Sequence, residues 1–217
     1  MTIELYVFPP SPRAFKAMAV ANHLGLDWTL RVVDLVKGDQ KAPDYAALNP
    51  NMRMPTLKDG ELVLWESNAI VQYLALKRPE SGLLPKDERA RIDVTRWQFW
   101  DLAHWDPTCA VFLFEHVAKR LVFGNAEPDA AALAKATPTF HRVAAVLDGQ
   151  LKAHKFVTGD MLTVADFSLG APLNYAAAAQ LPIEPYGAIR RWYSDLMALP
   201  AWQKTLAQAG MPIASAA

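Results

Sequence analysis

Met54-Pro55-Thr56-Leu57, followed at a short interval by Glu66-Ser67-Asn68-Ala69-Ile70, is the stretch on which the fold of this chain turns. Proline has no backbone N–H and is confined to strand entries, edges and turns, so Pro55 opens a short strand at Thr56-Leu57. A cis Met54–Pro55 bond suits such a turn. The turn leaves the N–H and C=O of Met54 outward and unpaired, free to form a short antiparallel ladder with an extended peptide. Asp59-Gly60 is a hairpin signal, and Leu62-Val63-Leu64 is the returning strand. Ile70, Val71, Leu74 and Ala75 then recur at helical spacing, so a helix starts near Ser67. Its first amides lack internal partners and make a ready carboxylate site.

Upstream, the pattern predicts a strand over 3–8, a helix over about 13–24 and a strand over 28–33. An irregular loop then leads to the hairpin strands near Thr56 and Leu62 and to a helix over 67–76. That β-α-β-loop-β-β-α order is the thioredoxin-like arrangement. Residues 79–87, with prolines, a glycine and mixed polarity, read as a linker between a first domain at 1–78 and a second at 88–217. The second domain reads as all helical. A long helix from Glu88 to about residue 123 bends at Pro107, and further helices cover about 129–153, 163–178, 186–197 and 201–208. The fold class is therefore α/β plus all-α. Thr163 and Asp166 have the spacing of a capping box, which contributes about 1 kcal/mol at a surface and serves folding, not chemistry.

The 217 residues suffice for one large domain or two small ones. Twenty-two basic side chains balance 22 acidic ones, which leaves no footprint for nucleic acid or an anionic membrane. Cys109, the single cysteine, cannot form an internal disulfide, as suits a reducing compartment. The first residues carry an early acid and reach prolines by Pro9, unlike a signal peptide, and no apolar run is long enough to span a bilayer. The expected location is the cytoplasm.

Met-Pro-Thr-Leu followed by Glu-Ser-Asn-Ala-Ile-Val-Gln-Tyr-Leu resembles the glutathione site of cytosolic glutathione transferases, and the likeness extends along the whole chain. Ser11-Pro12-Arg13-Ala14-Phe15-Lys16 through Leu24-Gly25 is similar to the first turn and helix of the serine-type, bacterial-like members. Gly159-Asp160 with Thr163-Val164-Ala165-Asp166 is similar to the family's buried capping motif. The resemblance implies a thioredoxin-like N-terminal domain that binds glutathione as co-substrate and an all-helical C-terminal domain that meets an apolar electrophile. It also implies a homodimer, with the loop near Met52 and the third and fourth helices at the interface.

Ser11 has two readings. Serine followed by proline is an N-cap and first-turn pair. As the family's thiol-activating residue, it would instead donate its hydroxyl to the glutathione sulfur at the positive end of a helix. Lowering a thiol pKa from 8.5 to about 6.5 requires about 2.7 kcal/mol of preference for the thiolate. One hydroxyl bond to a charged sulfur contributes about 1.5–3 kcal/mol, so the magnitude is attainable. Some relatives carry the hydroxyl closer to the strand, where this chain has Pro9 and Pro10, and Tyr6 is then the alternative donor.

For glutathione itself, the resemblance implies that Glu66 meets the γ-glutamyl ammonium and that Ser67 with its amide meets the γ-glutamyl carboxylate. The Met54 backbone beside Pro55 would hold the cysteinyl unit, while Gln40, Lys41 and Arg53 would hold the glycyl carboxylate or line its approach. The bland alternatives are a helix cap for Ser67, a turn acid for Glu66 and solvated surface charges for Lys41 and Arg53. The first domain has no cysteine, which disfavours a protein thiol-disulfide oxidoreductase. Trp97, Trp100, Asp101, His104, Trp105, Thr108 and Phe112 recur at helical spacing on the long helix. Of these, His104, Trp105, Thr108 and Phe112, with Pro10 from the first domain, are the expected electrophile contacts, although an aromatic stripe is more often core. No metal-ligand spacing occurs. The activity expected is thiolate attack in conjugation, with dehalogenation, isomerisation or peroxide reduction open to the same thiolate. The rival is a non-catalytic member of the fold that binds glutathione or apolar ligands, or serves as an interaction module.

Overall fold

Ile3, Leu5 and Val7 are buried while Glu4 and Tyr6 between them are half-buried, the period-2 signature of a strand with one face on the core. The structure, a computed structural model, describes residues 2–124 and 126–211. The first of its two packing units runs to Leu84 and takes the chain up again from Met197; the second is Pro85–Leu196.

In the first unit, β1 (Ile3–Val7) leads through α1 (Pro12–His23) to β2 (Trp28–Val32), which lies parallel to β1 with Ile3 opposite Trp28 and Val7 opposite Val32. A parallel pair needs such a crossover, and α1 supplies it. Gly25, at φ 59°, ends the helix: its N–H bonds to Asn22 O at 3.1 Å and that of Leu26 to Ala21 O at 3.1 Å, a Schellman stop that only glycine adopts without strain. The loop expected after β2 carries more structure than its sequence suggested. A 3-10 turn at Asp39–Lys41 and a short helix α2 (Pro43–Leu48) occupy it, started by Pro43 at N1 and Asp44 in the first turn. Then β3 (Thr56–Asp59) and β4 (Leu62–Trp65) form the expected hairpin, and α3 (Ser67–Leu76) follows.

The sheet order is β2-β1-β3-β4, with β3 antiparallel to both neighbours, in the thioredoxin-like arrangement expected. Helix α1 packs against α3, and its residues Ala14 to Ala21 are all buried. Small alanines on a helix buried on every side permit the close approach. Phe15, Met18, Ile70, Leu74, Leu5 and Leu57 are fully enclosed.

In the second unit the long helix expected from Glu88 is a succession of segments: α4 (Glu88–Trp100), a π-helical turn at Asp101–Trp105, α5 (Asp106–Leu113), a second π turn at Phe114–Ala118 and α6 (Lys119–Phe123). The first π turn ends just before Pro107, and there Asp106 N–H reaches back to Asp101 O. Proline cannot make the normal bond, so the preceding turn widens. Helix α7 (Ala130–Ala153) is capped by Asp129, whose Oδ1 accepts from the amides of Ala131 and Ala132. The helix expected over 163–178 is α8 (Val164–Gly170) continued as a 3-10 segment, Ala171–Tyr175, because Pro172 cannot continue the α ladder. The capping box is present: Asp166 Oδ2 accepts from Thr163 N at 2.8 Å, while Oδ1 takes Val157 N and Trp192 Nε1, both at 2.9 Å. Asp148 of α7 caps α9 (Gly187–Met197) by accepting from the amides of Ala188 and Ile189.

The sequence assigned everything over 88–217 to the helical domain, whereas α10 (Pro200–Gln208) packs with the first unit. The cause is its apolar face. Trp202 is fully buried with its ring 4.9 Å from that of Phe15 on α1, and Asn22 donates to Thr205 Oγ1 at 2.8 Å and Gln208 Oε1 at 2.7 Å.

Candidate functional site

Strand direction decides what meets what in the first unit. β1 and β2 finish at Val7 and Val32, tied by Val33 N–H to Val7 O at 2.7 Å, while β3 begins at Thr56 opposite Tyr6 on one side and Trp65, the last residue of β4, on the other. The segments 8–11, 33–41, 53–55 and 66–67 therefore all leave from one end of the sheet. They carry Pro10, Ser11, Gln40, Lys41, Arg53, Met54, Pro55, Glu66 and Ser67, all the first-domain residues expected to touch glutathione or the electrophile; Pro10 is half-buried.

Ser11 occupies the N-cap position of α1 with extended backbone, φ −69° and ψ 129°, and its carbonyl accepts the Phe15 amide at 2.8 Å. Its hydroxyl makes no cap hydrogen bond, so the simple reading of this serine as a side-chain cap is not realised. The hydroxyl sits half-buried at the positive end of the helix.

The Met54–Pro55 bond is cis and Pro55 is buried. Both residues beside this bond are pinned. Tyr45 Oη and Asn49 Nδ2 donate to Arg53 O at 2.6 and 2.7 Å, and the same two groups meet Thr56 Oγ1 at 3.0 and 3.1 Å. Burial pushes the Tyr45 phenol up against the opposing pull of Thr56 and Asn49, which keeps it a donor. Met54 itself has no hydrogen-bond partner for its N–H or C=O among the described residues. An unpaired main-chain donor and acceptor between two fixed neighbours is the geometry an extended peptide would pair with.

Glu66, the N-cap of α3, stands at φ 72° and ψ 110°, a region non-glycine residues avoid. Such strain costs on the order of 1–3 kcal/mol and concentrates at functional positions. Ser67 follows at the first helical position, 4% exposed, and its hydroxyl has no hydrogen-bond partner among the described residues. Behind it, Asn68 Oδ1 accepts from the buried Lys16 Nζ at 2.7 Å. Gln40 and Lys41 lie in the 3-10 turn, which is anchored by Asp39 Oδ2 accepting from the Asp34 amide at 3.0 Å. The Gln40 Oε1 atom is buried and unpartnered among the described residues. Lys41, Arg53 and Glu66 are exposed and none has an ion-pair partner among the described residues. Two free cations, one free carboxylate, two helix N-termini and an unpaired backbone edge suit a short extended ligand with two carboxylates and one ammonium.

Tyr6 is otherwise engaged: its Oη donates to Glu4 Oε2 at 3.3 Å, toward the start of β1 and away from Ser11. Sequence reasoning missed the clamp of Tyr45 and Asn49, whose helix it had not recognised. It also passed over Lys16, although a lysine inside the run Ala14–Ala21 was a visible signal.

In the second unit the expected electrophile contacts divide. Trp105 is fully buried, with Nε1 donating to Leu169 O at 2.9 Å, and Phe112 is 4% exposed with its ring edge-on to Phe140 at 5.5 Å. Both are core residues, and neither lines the cavity that His104 and Thr108 border. Apolar rings on the inward face of a helix gain more from burial than from solvent contact. Trp97 is likewise interior, at 3% exposed. His104 is exposed, and Thr108 is buried with its hydroxyl donating to His104 O at 2.6 Å. These two line a cavity of about 440 Å³ between the α5 region and α7. Burial, with Asp106 and Asp101 nearby, pushes the Cys109 thiol well up, so it carries no thiolate chemistry. Among the described residues no group of three His, Cys, Asp or Glu could hold a metal ion, and no helix is long and apolar enough to cross a membrane.

Comparison with known proteins finds two matching family models, "Glutathione S-transferase, N-terminal domain" over residues 1–76 and "Glutathione S-transferase, C-terminal domain" over 104–200. Glutathione S-transferase 3 of Zea mays is 34% identical over 217 residues, covering 97% of this chain and 96% of the relative. Among solved structures, glutathione S-transferase III in its apo form aligns with a TM-score of 0.85 at 32% identity, covering 98% of this chain and 99% of the other. The theta class glutathione S-transferase from Xanthomonas axonopodis pv. citri, solved with glutathione bound, aligns with a TM-score of 0.84 at 30% identity over 99% of this chain and 98% of that one.

Proposed function

Since the chain belongs to the glutathione S-transferase family, we propose that it binds glutathione across the open end of the first unit's sheet, holds its thiol as thiolate beside Ser11 and transfers it to an apolar electrophile. The observation that carries this reading is a half-buried serine hydroxyl at a helix N-terminus that does not cap its own helix. Around it stand polar groups that likewise have no partner among the described residues.

The extended tripeptide pairs through its cysteinyl N–H and C=O with the Met54 backbone, which Tyr45 and Asn49 hold in place through Arg53 O. Glu66 takes the γ-glutamyl ammonium. Ser67 and the first amides of α3 take the γ-glutamyl carboxylate, and Gln40, Lys41 and Arg53 the glycyl carboxylate. These contacts fix the sulfur near Ser11, whose hydroxyl donates to it. The thiol proton leaves to solvent and the thiolate attacks the electrophilic atom of the second substrate. The enzyme's work is ionisation and orientation. His104 and Thr108 of the second unit are the proposed electrophile contacts. Cytoplasmic location and a homodimer belong to the same proposal; Met52 in the first unit is exposed, as are Ile92 and Phe99 on α4 in the second, as apolar groups that a second copy covers would be.

Titration of glutathione thiolate absorbance in the presence of protein tests this reading. Wild type should ionise the bound thiol about two pH units below its free value, and Ser11→Ala should return it by at least one unit, a loss of about 1.4 kcal/mol. Unchanged ionisation in Ser11→Ala removes the serine from its role. A wild type that binds glutathione without shifting its ionisation points to the non-catalytic binder.

A further inference from the structure

The cavity beside His104 and Thr108 has a floor of one chemical kind and a rim of another. Pro107 and Val111 from the α5 region and Ala132 and Ala136 from α7 give it small apolar surfaces, while Lys135 and Arg142 of α7 also line it. Neither cation has an ion-pair partner among the described residues. Both are exposed, and both border a concavity of about 440 Å³, within the usual size range of small-molecule sites. Pro107 lies at its edge, just after the π turn at Asp101–Trp105. The two cations are two helical turns apart, so their Cα atoms are about 10 Å apart along the axis of α7. Long side chains at that spacing can both reach one anionic group on a ring laid against the alanines.

We propose that this cavity selects electrophiles in which an aromatic body carries a carboxylate or sulfonate, with Lys135 and Arg142 as the specificity-determining residues. This rests on the reading above that His104 and Thr108 contact the electrophile. The reaction is then substitution on an activated aryl halide: the glutathione sulfur forms a bond to the ring carbon, the carbon–chlorine bond breaks and chloride departs with its electron pair. The thiol proton has already gone to solvent. The cations take no part in bond making; they hold the anionic group and so the ring. Because both are exposed, their pull is screened, and the selectivity falls as salt rises.

The test compares chloronitrobenzoate with the matching chloronitrobenzamide, which hardly differ in shape; because the amide activates the ring more than the carboxylate does, each kcat/KM is divided by that compound's uncatalysed rate with glutathione thiolate before the two are compared. Wild type should favour the benzoate by about fivefold or more in kcat/KM at low salt, a preference that falls toward parity in the Lys135→Gln, Arg142→Gln double variant. In parallel, the unreactive nitrobenzoate and nitrobenzamide are titrated into the same proteins without glutathione. The benzoate should bind more tightly to wild type, its advantage should vanish in the double variant, and Ala136→Trp, which fills the floor, should weaken both. Parity in wild type, or a preference that survives in the double variant or is untouched by Ala136→Trp, overturns the proposal. If neither chloro compound reacts while nitrobenzoate binding behaves as described, the anion site stands and the transferase reading falls. If wild type turns over both without preference, the transferase reading stands and this one falls.

Discussion

Glu66→Gly separates stability from ligand binding at one position. The native residue holds φ 72°, which costs a non-glycine on the order of 1–3 kcal/mol. Glycine removes that strain but adds about 0.4–1 kcal/mol of unfolded-chain entropy, so the variant should be as stable as wild type or up to about 2.6 kcal/mol more stable. The carboxylate makes no ion pair among the described residues, so nothing else offsets the gain. Binding should move the other way. An exposed charge-assisted contact to an ammonium is worth about 1 kcal/mol, which raises the glutathione Kd roughly fivefold. Glu66→Gln controls for charge alone: it keeps the strain, leaves stability near wild type and loses the same affinity. Denaturant unfolding reads the first quantity and isothermal calorimetry the second. Should Glu66→Gly destabilise the fold by 1 kcal/mol or more while glutathione binds as before, the strained residue serves the architecture of α3, and its assignment to the ammonium is refuted.

Asn49→Ala should cost about 2–3 kcal/mol, since Asn49 is 2% exposed and its loss leaves part of the hydrogen bonding to Arg53 O and Thr56 unmade; a shift in the urea midpoint with unchanged slope measures this. Glutathione affinity should fall with it, because Met54 loses one of its two supports. Asp148 and Asp166 should give acid-limb dependences of opposite sign. Burial would raise Asp148, but Lys152 and the amides of Ile189 and Ala188 together hold its carboxyl below the usual range. Its stabilisation is therefore present above the unfolded pKa and lost as pH falls through the lower folded value. Burial pushes Asp166 up to about 6 against the donors Val157, Thr163 and Trp192, so the folded state binds this proton more tightly, and its contribution rises as pH falls from about 6 to below 4. Stability curves of Asp148→Asn and Asp166→Asn against wild type should differ in those directions, and matching slopes would contradict the assignment. Native Cys109 should resist alkylation at neutral pH until the protein unfolds, whereas labelling at the rate of a free thiol would show its burial to be wrong.

Much of the first unit was legible because its signals are local. Pro55 fixed a strand entry through its missing N–H, Asp59-Gly60 a hairpin, and the run from Ile3 a strand. The capping box at Thr163 and Asp166 was equally readable, its spacing being a property of one helical turn. Helix α2 was passed over because a six-residue helix carries too little periodicity to stand out against a loop, even with Pro43 at its start. Trp105 and Phe112 show a different limit. Their helical spacing said that they share a face, and the sequence could not say whether that face met a cleft or the interior.

The chain's own residues settled most of the strands and the longer helices, since propensity, proline sterics and capping act through the backbone over a few positions. Folding in three dimensions decided the rest. Pairing β1 with β3 rather than leaving it beside β2 alone brought Ser11, Met54 and Glu66 to one end of the sheet, and Trp202 found its partner in Phe15, far off along the chain. Hydrophobic burial is non-directional, so an apolar face specifies that it must be covered and leaves the choice of cover to the competition among all the others.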